Sequence, residues 1–294
     1  MLKLNTVYNG DCLEVMKQID NKSIDLILTD LPYGVTARNI WDLIIPIKQL
    51  FEIYKRILKD NGSIVMTTIE PFTTKIICEN YDIFKYKWIW IKSKGTGFLN
   101  AKKQPLRNYE EILVFYSNQS IYNPIMRKGK MIKKCNKTID TTNYNEMLKN
   151  RPEPYLSDLY YPKLTLKIKS PKIKNGHPTH KPVELFEYLI KTYTNGGMLV
   201  LDNCFGSGTT GIACKNTKRN FIGIEKDLKY AELSSKRCNC DLIINEQITK
   251  IKDIEVLSKE QTQFKINQCP ICNGDMRKVG KNFYCLKSGC NGKT

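Results

Sequence analysis

Histidine is almost missing from this chain. His177 and His180 are the only two in 294 residues, so a histidine-based metal centre or acid–base pair elsewhere is excluded. No apolar run approaches the ~20 residues needed to cross a bilayer, and the opening MLKLNTVYNGD lacks the long apolar core of a secretory leader. A cytoplasmic location is the expectation. Internal repeats and low-complexity tracts are absent too, and nowhere does a proline precede a cysteine directly. Acidic residues are scarce: 29 Asp and Glu face 47 Lys and Arg, a formal charge of +18.

A surplus of that size favours a polyanionic partner, although a lysine- and asparagine-rich coding bias would also produce it. Its distribution separates the two readings. From Ser117 to Gly176 there are 13 basic and 4 acidic residues, so half of the excess sits in about a fifth of the chain. Tyr122, Tyr144, Tyr155, Tyr160 and Tyr161 are interspersed there with Asn, Pro and Thr, which reads as an irregular basic surface for a phosphate backbone.

With 41% hydrophobic residues the chain can bury a large α/β core and carry a small appendage. Strand-like runs are expected at Thr6–Tyr8, Ile24–Leu28, Ser63–Thr67, Tyr86–Ile91 and Ile112–Tyr116, with helices at Cys12–Ile19 and Ile45–Leu58 and a stop at Asn61-Gly62. That alternation predicts a parallel sheet with crossovers. It resumes in KPVELFEYLIKTY, where Pro182 starts a helix, and continues through strand GMLVLD, helix GTTGIACKN, strand NFIGIE and a helix capped by Asp227.

Two strand ends carry chemistry. The first runs SIDLILTDLPYG, where an apolar run finishes on Asp30, Leu31, Pro32 and Tyr33; taken alone it is an ordinary strand-to-loop turn. The second is DNCFGSGTTG, in which Gly206, Gly208 and Gly211 let backbone approach a ligand beside a helix N-terminus. A carboxylate one strand over, Glu225, can hold ribose hydroxyls, so a nucleoside cofactor is expected. No lysine follows the second glycine as a P-loop requires. A dinucleotide-binding domain would need several more strand–helix units after this one, and only roughly 30 weakly patterned residues remain before the last cysteines. The remaining strands must therefore come from upstream.

Taken in order, these motifs resemble the β-group of amino-methylating DNA methyltransferases, the N6-adenine and N4-cytosine family. That family runs D/S-P-P-Y, a target-recognition region, H-P-T-x-K-P and D-P-F-x-G-S-G-T-T. Here the matches are DLPY at Asp30–Tyr33, the region 117–176, HPTHKP at His177–Pro182 and DNCFGSGTT at Asp202–Thr210. The stretch TGFLNAKKQPLRNYEEILVFY is similar to phage and prophage members. The departures are Leu31 for a proline, Asn203-Cys204 for a proline and its neighbour, and His180 where glutamine is commoner.

The resemblance implies an S-adenosylmethionine-dependent, Rossmann-like α/β methyltransferase fold, circularly permuted so that the catalytic half comes first and the cofactor half last. Asp30 and the Leu31 carbonyl would accept hydrogen bonds from the target amine, Pro32 would hold the turn, and Tyr33 would stack on the flipped base. S-adenosylmethionine would lie over Asp202, Cys204, Phe205, Gly206 and Gly208, with Glu225 on the ribose. Thr179 and Lys181 would face its methionine end, and Asp11 would lie near the adenine unless it simply caps a helix. Double-stranded DNA is the implied partner and adenine N6 the favoured target, because N4 enzymes usually carry serine at the position of Asp30. Cytosine N4 is the alternative, and a non-catalytic DNA-binding protein on the same fold is another. Dimerisation and a restriction endonuclease partner stay open.

Eleven cysteines in such a chain do not read as a disulfide framework. Cys12, Cys78, Cys135, Cys204, Cys214, Cys238 and Cys240 are expected to be small, mostly buried residues. Cys269, Cys272, Cys285 and Cys290 instead form two short-spaced pairs suited to one tetrahedral zinc. They predict a zinc ribbon over residues 267–294, joined by a linker at 241–266 to a methyltransferase domain at 1–240.

Overall fold

The computed structural model describes residues 2–34, 44–134, 155–170, 181–244, 276–279 and 282–285. Thr179 and the cysteines at 135, 269, 272 and 290 lie outside the described residues, and Cys285 is described in its backbone only. The chain divides into two compact units, Met1–Ile243 and Ile244–Thr294.

The first unit is built on strands β1 (Thr6–Asn9), β2 (Ile24–Thr29), β3 (Leu58–Thr68), β4 (Phe84–Thr96), β5 (Arg107–Phe115), β6 (Arg127–Lys134), β7 (Tyr155–Tyr160), β8 (Thr165–Lys167), β9 (Leu199–Asp202), β10 (Asn220–Glu225) and β11 (Asp241–Ile244). Its helices are α1 (Cys12–Val15), α2 (Ile47–Ile57), α3 (Phe72–Glu79), α4 (Val183–Tyr193), α5 (Thr209–Asn216) and α6 (Leu228–Cys238). Nine strands form one sheet in the order β11-β1-β10-β9-β2-β3-β5-β4-β8. None of the described helices is long and apolar enough to cross a membrane.

Among the central strands, β1, β10, β9, β2 and β3 run parallel, as the alternation predicts. Their apolar runs are buried throughout because helices cover both faces. On one face α2 contributes Leu50, Phe51, Tyr54 and Ile57, spaced to form a single apolar stripe. On the other, Leu185, Phe186, Leu189, Ile190 and Tyr193 of α4 do the same. Beyond β3 the sheet turns mixed: β5 is antiparallel to both β3 and β4, and β8 returns parallel to β4.

Four expectations change. Asn61-Gly62 does not precede β3 but lies within it, in a bulge, since Ile24 pairs with Leu58 while Leu26 pairs with Ser63. The basic stretch is not wholly irregular, for β6 and β7 pair as a separate antiparallel ribbon. Residues 241–244, expected to begin a linker, form edge strand β11, and Cys78 is exposed. In the second unit, β12 (Met276–Val279) and β13 (Asn282–Cys285) make an antiparallel hairpin in which Met276 pairs with Cys285.

Candidate active site

Parallel strands deliver their C-terminal ends to one rim of the sheet. Asp11 follows β1, Glu225 ends β10, Asp202 ends β9, Asp30 follows β2 and Thr67 lies near the end of β3. β9 lies between β10, its successor in the chain, and β2, so the order reverses there and opens the crevice in which α/β sheets hold ligands. The two motif loops are thus neighbours although about 170 residues separate them in sequence.

Asp30 is the centre of a dense network. Its Oδ1 accepts from the hydroxyls of Tyr33 and Thr67, which lie 3.1 Å from each other. Its Oδ2 accepts from Lys181 Nζ at 2.6 Å. Lys181 is 6% exposed, and its ammonium also sits 3.4 Å from Glu110 Oε2 and 5.7 Å from the Tyr33 ring centroid. Burial opposes the charge on Lys181, but Asp30, Tyr33 and Glu110 outweigh it and hold its proton well above the ordinary lysine range. The Tyr33 phenol is raised well above its usual value by burial and then by Asp30, so it stays a donor. Its ring packs on Phe72 at 5.6 Å. Leu31 buries its side chain in the core at 3% exposure, which anchors the turn where the family pattern has a proline ring.

The glycine-rich loop is fixed from below. Asp202 is 2% exposed; its Oδ1 accepts from the Cys204 amide at 3.1 Å and its Oδ2 from the Thr210 hydroxyl. Burial pushes its carboxyl up to about 7. Phe205 is stacked on Phe221 at 5.5 Å and belongs to the core, so only its backbone lies on the loop. Gly208 caps α5 with φ +80, and a Cβ there would stand 2.8 Å from Cys238 Sγ. Cys204 is a protonated thiol, its proton held well above the usual range by burial. The buried Tyr54 hydroxyl donates to Asn203 Oδ1 at 2.6 Å, tying α2 to this loop.

The same loop fits a nucleoside cofactor. At Gly206, φ +51, a Cβ would meet only the Cys204 carbonyl at 3.9 Å, so backbone faces open space. Glu225 stands beside it, taking one backbone N–H on each oxygen, from Gly206 at 2.7 Å and Asp227 at 2.9 Å. Each oxygen keeps acceptor capacity for a pair of hydroxyls. Asp11 caps α1 by accepting from the Leu13 amide at 3.0 Å and also meets Lys226 at 3.2 Å. Lys181 is placed on Asp30, while its backbone carbonyl accepts from Thr209 at the start of α5, 3.4 Å away. Sequence reasoning missed Thr67, Glu110 and Tyr54, whose roles come from strand pairing and helix packing that no local motif marks.

A DNA methylase family profile, N6_N4_Mtase, matches residues 24–236. Type II methyltransferase M.HinfI from Haemophilus influenzae is 29% identical, over 96% of this chain and 79% of its own length. DNA adenine methyltransferase YhdJ from Escherichia coli strain K12 is also 29% identical, over 84% and 87%. Among solved structures, the M1.HpyAVI complex with SAM aligns at TM-score 0.56 and 25% identity, covering 79% of this chain and 98% of that one. The cytosine-N4-specific PvuII DNA methyltransferase shares the fold at TM-score 0.57 and 18% identity, over 85% and 94%.

Proposed function

The chain belongs to the N6/N4 DNA methylase family, and on that premise we propose that it methylates the exocyclic N6 of adenine in DNA, using S-adenosylmethionine. The carrying observation is the state of the Asp30 carboxylate. Three donors, Tyr33, Thr67 and Lys181, occupy three of its roughly four acceptor positions. One remains, on Oδ2, and the carboxylate is 25% exposed.

An exocyclic amine is a poor nucleophile because its lone pair is delocalised into the ring. Asp30 Oδ2 and the Leu31 carbonyl, adjacent in the chain, would accept its two N–H bonds and draw the nitrogen toward tetrahedral geometry. Tyr33, held by its hydroxyl, offers ring surface to a base rotated out of the duplex. When bound, S-adenosylmethionine supplies an electrophilic methyl group on a sulfonium sulfur. Glu225, Gly206 and the Asp202-clamped loop would hold it, and Asp30 would take the proton that the methylated nitrogen releases. The basic ribbon β6–β7, with Lys128, Lys130 and Lys133 exposed, suits the phosphate backbone of duplex DNA.

Incubation with labelled S-adenosylmethionine and DNA, followed by nucleoside digestion, is expected to yield N6-methyladenine. An N4-methylcytosine peak would transfer the reading to cytosine, the target named for one structural neighbour. Asp30→Ala should abolish transfer while the cofactor still binds in calorimetry; retained activity would sink the mechanism.

We also propose the permuted chain order, catalytic half first, and a zinc ribbon at 267–294. The hairpin β12–β13 supports the ribbon by occupying the interval between Cys272 and Cys285. Metal analysis of the full chain should find one zinc, lost in the double substitution Cys269→Ser and Cys272→Ser. Zinc retained in that variant would refute the four-cysteine site.

A further inference from the structure

The stretch NYEEILVFY places two glutamates side by side on β5, and the period of a strand sends them to opposite faces. Glu111 pairs with Lys87 at 2.6 Å. Glu110, 8% exposed, lies on the site's side, where Lys92 donates to its Oε1. Its Oε2 is buried and has no hydrogen-bond partner, although the Lys181 ammonium stands 3.4 Å away. Lys92, Glu110, Lys181 and Asp30 therefore form a row of alternating charges that ends at the carboxylate meeting the amine. Tyr33 also faces Asp30 directly, and Asp202 lies within its field from β9.

With Oδ1 filled by Tyr33 and Thr67, an ammonium held by Asp30 alone, carrying three donors, would be free to swing over the remaining acceptor position of Oδ2. A second carboxylate pulling from the far side prevents this. We propose that Glu110 is a positioning residue for methyl transfer: by sharing Lys181 it holds that ammonium to one side of Asp30 Oδ2, which keeps one lone pair open to the target amine. This rests on the methyltransferase reading, yet it is a claim about this chain's own side chains and can be read without substrate.

The experiment combines kinetics with hydrogen exchange of the Lys181 ammonium, followed by 15N-edited NMR and assigned by its disappearance in Lys181→Met. In Glu110→Gln, which keeps the side-chain volume but removes the buried charge beside the ammonium, that exchange should accelerate at least roughly tenfold. The same variant should lose about ten- to hundredfold in kcat, with KM for DNA and for S-adenosylmethionine unchanged. Glu111→Gln breaks a comparable ion pair on the same strand and should leave Lys181 exchange as it is. Lys181 exchange unaltered in Glu110→Gln, or a loss that falls on KM alone, would overturn the proposal.

Should Glu110→Gln fail to fold, Lys92→Met decides. It removes the other described cation at Glu110, so Glu110 draws Lys181 further from Asp30 and Oδ2 stays open: kcat should hold at the parental level while Lys181 exchange stays slow, and a fall of about tenfold in kcat would refute the idea. If the parent protein methylates no DNA, the proposed function fails, whereas the exchange results still decide this inference.

Discussion

Asp202 carries a burden that shows only as pH changes. Its carboxyl is raised from 3.8 to about 7, chiefly by burial, so the folded protein binds its proton more tightly than the unfolded chain does. The stabilising contribution of that proton is complete below pH 3.8 and is lost as pH rises toward 7. Asp202→Asn keeps an acceptor for the Cys204 amide and never charges. Its melting temperature relative to the parent should climb between about pH 4 and 7 and level off above; a flat difference would show that Asp202 is not perturbed. The sequence marks this aspartate as a ligand-side residue. The structure shows a clamp, because both oxygens are taken up inside the loop. Local motifs reveal residue type at a strand end, but which way a side chain points is set by what packs beneath it.

Among the elements, the glycine-rich turn shows how one backbone conformation serves both packing and binding. Gly208 adopts φ +80 and lies against Cys238 and Ser234 of α6, so a methyl group there meets strain and collision together. Gly208→Ala should cost about 1–3 kcal/mol of stability and weaken cofactor binding more than DNA binding; chemical denaturation and calorimetry measure both. The central elements were legible: β2, β9, β10, α4 and the Asp227 cap follow from apolar periodicity and capping residues. Strand β8 was not, because three residues at a sheet edge, TLK, carry no periodic signal. Nor was the direction of β5, since strand sense depends on the connection, and the segment joining β4 to β5 is short enough for an antiparallel return. The sequence marks Thr67 as the end of a strand, and only the parallel register of β2 with β3 brings it to Asp30.

For the whole molecule, charge is the dominant physical statement. The strands β6 and β7 display Arg127, Lys128, Lys130 and Lys133 as exposed residues, with Asp158 the lone acidic residue of the two strands. Replacing Lys128, Lys130 and Lys133 with glutamine should weaken duplex DNA binding. It should also reduce the slope of log affinity against log salt by about 2 to 3, near 0.9 for each lost phosphate contact. An unchanged slope would move the DNA surface elsewhere. The ribbon enters after β5 and returns into β8, and those two strands are separated in the sheet by β4 alone, roughly 10 Å. On the proposed function, evolution can therefore treat the segment between them as a cassette: a gene exchange with its ends beyond Phe115 and before Thr165 would bring in a different DNA-contacting surface and leave Asp30, Glu110 and Lys181 in place.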